Sequence, residues 1–160
     1  MYNMGGLNKL EMSSYPLSFH QKITLALDIA SALECMHLKG VAHRDLHEGN
    51  ILIHRSSTGV LSAGLIDFGR AKSLYAKVKD RPQGANSKNP PEVLFISYRD
   101  ITKVSADTYA LGCLFYKLFF QKDYSAVGLI DYRTLSRRTQ EEKEEILLKI
   151  KSIYDVALIE

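Results

Sequence analysis

His43-Arg44-Asp45-Leu46-His47-Glu48-Gly49-Asn50 packs an ionisable cluster, a glycine and an asparagine into eight residues. An apolar helical pattern precedes this stretch, and an apolar run, Ile51-Leu52-Ile53, follows it. A polar loop clamped between two buried elements is where a rigid scaffold presents chemically active side chains. Asp45 offers a carboxylate base, and Asn50 offers a hard amide oxygen.

The surrounding composition is that of an ordinary globular chain. Of 160 residues, 46% are hydrophobic and 24% charged, enough for one domain with a single core. The net charge of +3 is small and scattered, which argues against nucleic acid or a membrane surface as partner. The longest apolar run, Leu111 to Phe120, is interrupted by Lys117 and too short to span a bilayer. No secretory signal pattern opens the chain. Cys35 and Cys113 fall inside apolar helical patterns, so two buried thiols in a reducing compartment are expected rather than a disulfide. These features give an expectation of an intracellular, cytoplasmic protein.

Upstream of the loop, Ser18 with Gln21 three residues on forms a capping box. Ile23, Leu27, Ala30, Leu33, Met36 and Leu38 recur at helical spacing as the expected buried face, and Gly40 is a C-terminal stop. His37 reads as a structural histidine near the helix end rather than a ligand. Downstream, Ile51 to His54 and Val60 to Ile66 predict two strands joined by the Arg55-Ser56-Ser57-Thr58-Gly59 turn, and they lead into Asp67-Phe68-Gly69. Residues 70 to 89 are basic and without periodicity, and Pro90-Pro91-Glu92 follows. Residues 105 to 120 predict a buried helix with Asp107 in its first turn. Such a carboxylate needs donors, from its own helix as an N-terminal cap or from another segment. Thr139 to Glu142 is a second capping box, ahead of an apolar stripe through Ile146, Leu147, Ile150, Ile153, Tyr154, Ala157 and Leu158.

Taken in order, His43-Arg44-Asp45-Leu46 with Asn50, Asp67-Phe68-Gly69, Pro90-Pro91-Glu92 and the Asp107-x-x-x-Leu111-Gly112 pattern resemble the protein kinase superfamily, of the serine/threonine or tyrosine-kinase-like groups. Residues 2 to 7, Tyr-Asn-Met-Gly-Gly-Leu, are similar to the hinge between the two kinase lobes. The resemblance implies a mainly α (α+β) fold: the C-terminal lobe, with a short β-hairpin beside the catalytic loop. It divides the chain into hinge 2–7, catalytic loop 43–50, activation segment 67–92 and buried helix 105–120. The Gly-rich loop, strand Lys and helix Glu of an N-terminal lobe are absent upstream of the hinge.

The same resemblance implies ATP-dependent transfer of phosphate to protein Ser or Thr hydroxyls. Asp45 is then the carboxylate that orients the hydroxyl. Arg44 holds a phosphorylated activation-segment residue, with Ser73, Tyr75 and Ser87 as possible carriers. Asn50 and Asp67 bind Mg²⁺ or Mn²⁺ and nucleotide, and Met4 lies at the nucleotide. Asp107 accepts from backbone amides of the loop. The Arg that pairs with Glu92 falls on Arg133, Arg137 or Arg138, or beyond Glu160. His47 stands where serine/threonine kinases usually place a Lys, and Ala85 follows Gly84 where they usually place a Thr; the tyrosine-kinase pattern is not met, with no Arg at 47 or 49 and no Trp. The implied partners are a protein substrate and a missing N-lobe or upstream domain, with no nucleic acid and no membrane. The 160 residues alone are expected to be weakly active or inactive. The alternative is a non-catalytic kinase-like binding module, a pseudokinase or decayed kinase.

Overall fold

The computed structural model describes residues 4–12, 16–75, 104–121, 139, 141, 142, 145 and 148. Within them the fold is mixed α+β. In chain order come β1 (Gly5–Gly6), α1 (Leu7–Met12), α2 (Phe19–Leu38), β2 (Val41–Ala42), β3 (Ile51–Arg55), β4 (Leu61–Leu65), β5 (Lys72–Ser73) and α3 (Val104–Phe120). Single 3₁₀ turns cover Glu48–Asn50 and Phe68–Arg70. The strands form two antiparallel sheets, β1-β3-β4 and β2-β5.

Helix α2 starts where Ser18 predicts it. The Ser18 hydroxyl accepts from the Gln21 N–H at 3.2 Å, and the Gln21 side chain accepts from the Ser18 N–H at 2.9 Å. Two otherwise orphaned donors are thereby satisfied. Ser18→Ala is expected to lower stability by about 1 kcal/mol, read as a shift of the urea midpoint at unchanged slope. The helix ends before Gly40, whose φ of +69° is cheap only for glycine.

The rotation of α2 differs from the sequence expectation. Its buried residues are Leu25, Ala26, Ile29 and Leu33. Ile23, Leu27 and Leu38 face outward, Leu27 being 62% and Leu38 82% exposed. Apolar residues surround most of this helix, so spacing alone leaves its rotation open. The neighbouring strand fixes it. Asp28 Oδ2 accepts from the Ala63 N–H of β4 at 2.9 Å, which seats Leu25 and Ile29 toward the hairpin. Cys35 lies on the outer side and is exposed, against expectation, while Cys113 of α3 is buried as expected.

The core joins Leu25, Ile29 and Leu33 of α2 to Ile51, Ile53 and Leu61 of the hairpin and to Leu114 and Leu118 of α3. Leu46, from the polar loop itself, is also inside it. Gly5 and Gly6, which composition suggests as a flexible turn, pair instead with Ile53 and Leu52 as an edge strand, and Leu7 behind them is fully buried. The hairpin turn closes with Ser56 and Val60 exchanging hydrogen bonds and with Gly59 at φ +85°. At the second capping box, the Thr139 hydroxyl accepts from the Glu142 N–H and the Glu142 carboxylate from the Thr139 N–H. The apolar stripe beyond it, Gly84, Ala85, Ser87, Pro90-Pro91-Glu92 and Arg133, Arg137 and Arg138 lie outside the described residues.

Candidate active site

Two ladders frame the site. The loop 43–50 runs from the end of β2 to the start of β3. The turn 66–71 runs from the end of β4 to the start of β5. Strand β2 pairs with β5, and β3 with β4, so both ends of the loop are tied to both ends of the turn. Ile66 completes the frame: its N–H donates to the Asn50 carbonyl at 3.0 Å, and its own carbonyl accepts from His43 Nε2 at 3.1 Å. Asp67, the next residue, is thereby held beside the loop.

His43 is fully buried. Its bond to Ile66 requires a proton on Nε2, which leaves Nδ1 to accept from the Asp45 N–H at 3.3 Å. One ring thus fixes both the turn and the main chain of Asp45. The Phe68 ring, half exposed, lies 5.5 Å from it, centroid to centroid.

Asp107 anchors the loop from the α3 side. It is 1% exposed. Its Oδ2 accepts from the His43 N–H and its Oδ1 from the Arg44 N–H, each at 2.7 Å, and His37 Nε2 donates to Oδ2 at 2.9 Å. Between the two readings left open by the sequence, the carboxylate therefore serves the loop. Arg44 has φ +66°, a left-handed conformation that costs on the order of 1 kcal/mol for a non-glycine residue. The paired hydrogen bonds to Asp107 hold that conformation. His37 is structural, as expected, and its partner is now identified.

At the surface of this frame sit the polar groups with chemical potential. The Asp45 carboxylate is 17% exposed. Arg70 Nη1 lies 3.3 Å from its Oδ1, and His47 Nε2 lies 4.0 Å from its Oδ2. His47 Nδ1 accepts the Gly49 N–H at 3.1 Å, so the proton of a singly protonated ring is on Nε2, facing Asp45. Asn50 is buried, and its Nδ2 donates to the Asp45 carbonyl at 2.9 Å, which leaves Oδ1 as its acceptor. Asp67 sits at φ 60°, ψ 72°, and one of its oxygens accepts the Gly69 N–H at 3.2 Å. Asn50 and Asp67 therefore supply hard oxygen donors of the kind Mg²⁺ and Mn²⁺ prefer.

Of the sequence-predicted residues, Asp45, His47, Asn50 and Asp67 are brought into this frame, and Arg44 contributes its backbone to it. Met4 lies apart, its N–H donating to the Ile53 carbonyl on the far side of β3. Three participants are not singled out by motif. Lys117 reaches from α3 to Glu48 at 2.7 Å, with Glu48 almost wholly buried. A lone lysine in the apolar later turns of α3 is itself a signal that an anion waits nearby. Arg70 contacts Asp45, and only its place directly after Asp67-Phe68-Gly69 hints at that. Of the possible phosphate carriers, Ser73 accepts the Tyr75 N–H, and Tyr75 is 87% exposed. Among the described residues no helix is long and apolar enough to cross a membrane.

Comparison with known proteins follows the same lines. A family model described as protein kinase domain matches residues 1–153. Mouse dual specificity testis-specific protein kinase 1 is 36% identical over 122 residues, which is 72% of this chain and 19% of that protein. A probable serine/threonine-protein kinase of Dictyostelium discoideum is 38% identical over 105 residues, 64% of this chain and 19% of that protein. Calcium/calmodulin-regulated receptor-like kinase 1 of Arabidopsis thaliana is 33% identical over 139 residues, 82% of this chain and 30% of that protein. The chain thus spans less than a third of the length of these relatives. Among solved structures, the yeast RNA Pol II CTD kinase CTDK-1 complex contains a chain that superposes with a TM-score of 0.60 at 24% identity, covering 76% of this chain and 39% of that one. That likeness supports the fold.

Proposed function

The chain belongs to the protein kinase family, and from that premise we propose that it supplies the C-terminal, catalytic-loop half of an ATP-dependent kinase acting on protein Ser or Thr hydroxyls. The observation that carries this reading is the double frame around Ile66, which sets Asp45, Asn50 and Asp67 on one rigid support. Phosphoryl transfer asks little of a protein beyond such positioning and charge stabilisation.

In this reading the Asp45 carboxylate accepts the hydrogen bond of the substrate hydroxyl, aligns it, and takes its proton as the new P–O bond forms and the bond from the γ-phosphorus to the leaving ADP oxygen breaks. Asn50 Oδ1 and the Asp67 carboxylate would hold the divalent ion. That ion, Mg²⁺ or Mn²⁺, neutralises charge on the phosphates when bound. His47 Nε2–H donates toward the transferred phosphate, and Arg44 takes a phosphorylated residue of the segment 67–92. Met4, in the edge strand's approach, belongs to the hinge wall of the nucleotide site. The rest of that wall is supplied by an N-terminal lobe carried on a longer polypeptide or a partner. The half-exposed Phe68 is suited to pack against it. Relatives named as serine/threonine and dual specificity kinases favour hydroxyl substrates on proteins.

The second reading, a non-catalytic binding module, draws on His47, which brings a hydrogen-bond donor where a lysine would bring a fixed charge. The test is transfer from γ-labelled ATP by the natural polypeptide that carries these residues, followed by phosphoamino-acid analysis. Mg²⁺-dependent label on serine and threonine is the expected result. No transfer together with no saturable Mg²⁺–ATP binding would leave the binding module standing.

A further inference from the structure

Position 47 of the loop carries no fixed cation, yet the Asp45 carboxylate does have one beside it. Arg70 reaches it from the opposite side, out of the Phe68–Arg70 turn, with Nη1 3.3 Å from Asp45 Oδ1. His47 approaches the other oxygen at 4.0 Å. A second cation near the loop, Lys117, is engaged with Glu48 at 2.7 Å. Arg70 thus brings a fixed positive charge into contact with the Asp45 carboxylate.

We infer that Arg70 is a positioning residue for Asp45, supplying from the Asp67 turn the permanent positive charge that His47 does not. The inference rests on the kinase reading for its consequence and on geometry alone for the contact. The turn that places Asp67 also places Arg70, because its two ends are tied by the Ile66 bonds and by β5. Movement of the turn would therefore shift the metal-binding carboxylate and the orientation of Asp45 together. The contact joins Arg70 Nη1 to Asp45 Oδ1, so what the proposal asks of position 70 is a positive charge at that oxygen. A lysine at this position can then replace the arginine. An oriented Asp45 keeps Oδ2, on the His47 side, for the incoming hydroxyl.

The experiment uses the natural polypeptide and two independent readouts. In the first, ¹⁵N NMR follows the Arg70 guanidinium. Slowed Cζ–Nε rotation is expected in the wild type and is expected to disappear in Asp45→Asn; an Arg70 signal indifferent to Asp45→Asn overturns the inference whether or not the protein is active. In the second, steady-state transfer compares Arg70→Met and Arg70→Lys. Misplacement of a catalytic group by about 1 Å costs about 100-fold, so kcat of Arg70→Met is expected to fall about 10- to 100-fold with KM for ATP within about twofold. Arg70→Lys is expected to recover most of the loss. Unchanged kcat in Arg70→Met, a rise that marks Arg70 as a block on Asp45, or no rescue by lysine each overturn it. Arg70 is half exposed, so both variants are expected to fold, checked by their melting curves. Absence of transfer by the wild type itself strikes at the kinase reading and leaves the contact to the NMR result.

Discussion

Asp107→Ala is expected to destabilise the protein by about 3–5 kcal/mol. The carboxylate is buried and accepts three hydrogen bonds, two from backbone N–H groups at 2.7 Å and one from His37 at 2.9 Å. Alanine leaves the His43 and Arg44 N–H groups without acceptors. Each buried donor stranded in this way costs about 1–3 kcal/mol. The left-handed Arg44 also loses the bonds that hold it, so the loop can relax away from the geometry that the turn 66–71 needs. Asp107→Asn should cost less, about 2 kcal/mol, since its amide oxygen keeps one N–H satisfied while its NH₂ faces the other donor. His37→Ala should cost about 1 kcal/mol, because His37 is itself partly exposed and its removal opens a path for water to Asp107 Oδ2. Urea unfolding of the three variants measures the ranking. Hydrogen exchange at His43 and Arg44 localises it, with protection expected to vanish in Asp107→Ala. A cost below 1 kcal/mol with protection retained would show that the loop does not depend on this anchor.

That anchor illustrates what a sequence can reveal. Asp107 is legible because a carboxylate in an apolar helix must have donors, and its spacing from Leu111 and Gly112 matches a known pattern. The cap at Ser18 and the loop and turn around Asp45 and Asp67 are legible for similar reasons, since each is a local device with its partner a few residues away. What the sequence leaves open is relational. The rotation of α2 is tied to a hydrogen bond that Asp28 accepts from a strand 35 residues on, which no periodicity in the helix encodes. A helix apolar on most sides offers several faces of similar hydrophobicity, so Leu27 and Leu38 look as well suited to the core as Leu25 and Ile29. Cys35 is misplaced for the same reason. The pair Gly5–Gly6 reads as a turn by composition, yet an edge strand needs only its backbone to pair. The contacts of Lys117 with Glu48 and of Arg70 with Asp45 join segments 69 and 25 residues apart, and only the assembled frame shows them.

Asp45→Asn is expected to separate chemistry from structure in the way Asp107→Ala cannot. The main chain of Asp45 does the structural work, its N–H donating to His43 and its carbonyl accepting from Asn50. Asparagine keeps both bonds and nearly the same shape. What it removes is the negative charge and the proton acceptor. The charge partner, Arg70, is half exposed, and an exposed pair of this kind contributes about 0–1 kcal/mol. The stability change should therefore stay within about 1 kcal/mol. Turnover is another matter. Loss of a positioned general base reduces rate by about 10²- to 10⁴-fold, and in the proposed reading the same carboxylate also orients the hydroxyl, so a fall near the upper end is expected. Binding of Mg²⁺–ATP, which in this reading rests on Asn50 and Asp67, should change by less than about threefold. Single-turnover transfer by the natural polypeptide, with nucleotide affinity measured by calorimetry, tests both halves. Transfer at the wild-type rate would remove Asp45 from the chemistry and with it the kinase assignment of the loop. Transfer lost together with nucleotide affinity and stability would mean that the carboxylate, rather than its backbone, holds the frame. Only activity lost from an intact, nucleotide-binding fold fits a base whose backbone is structural and whose side chain is held in reserve for the substrate.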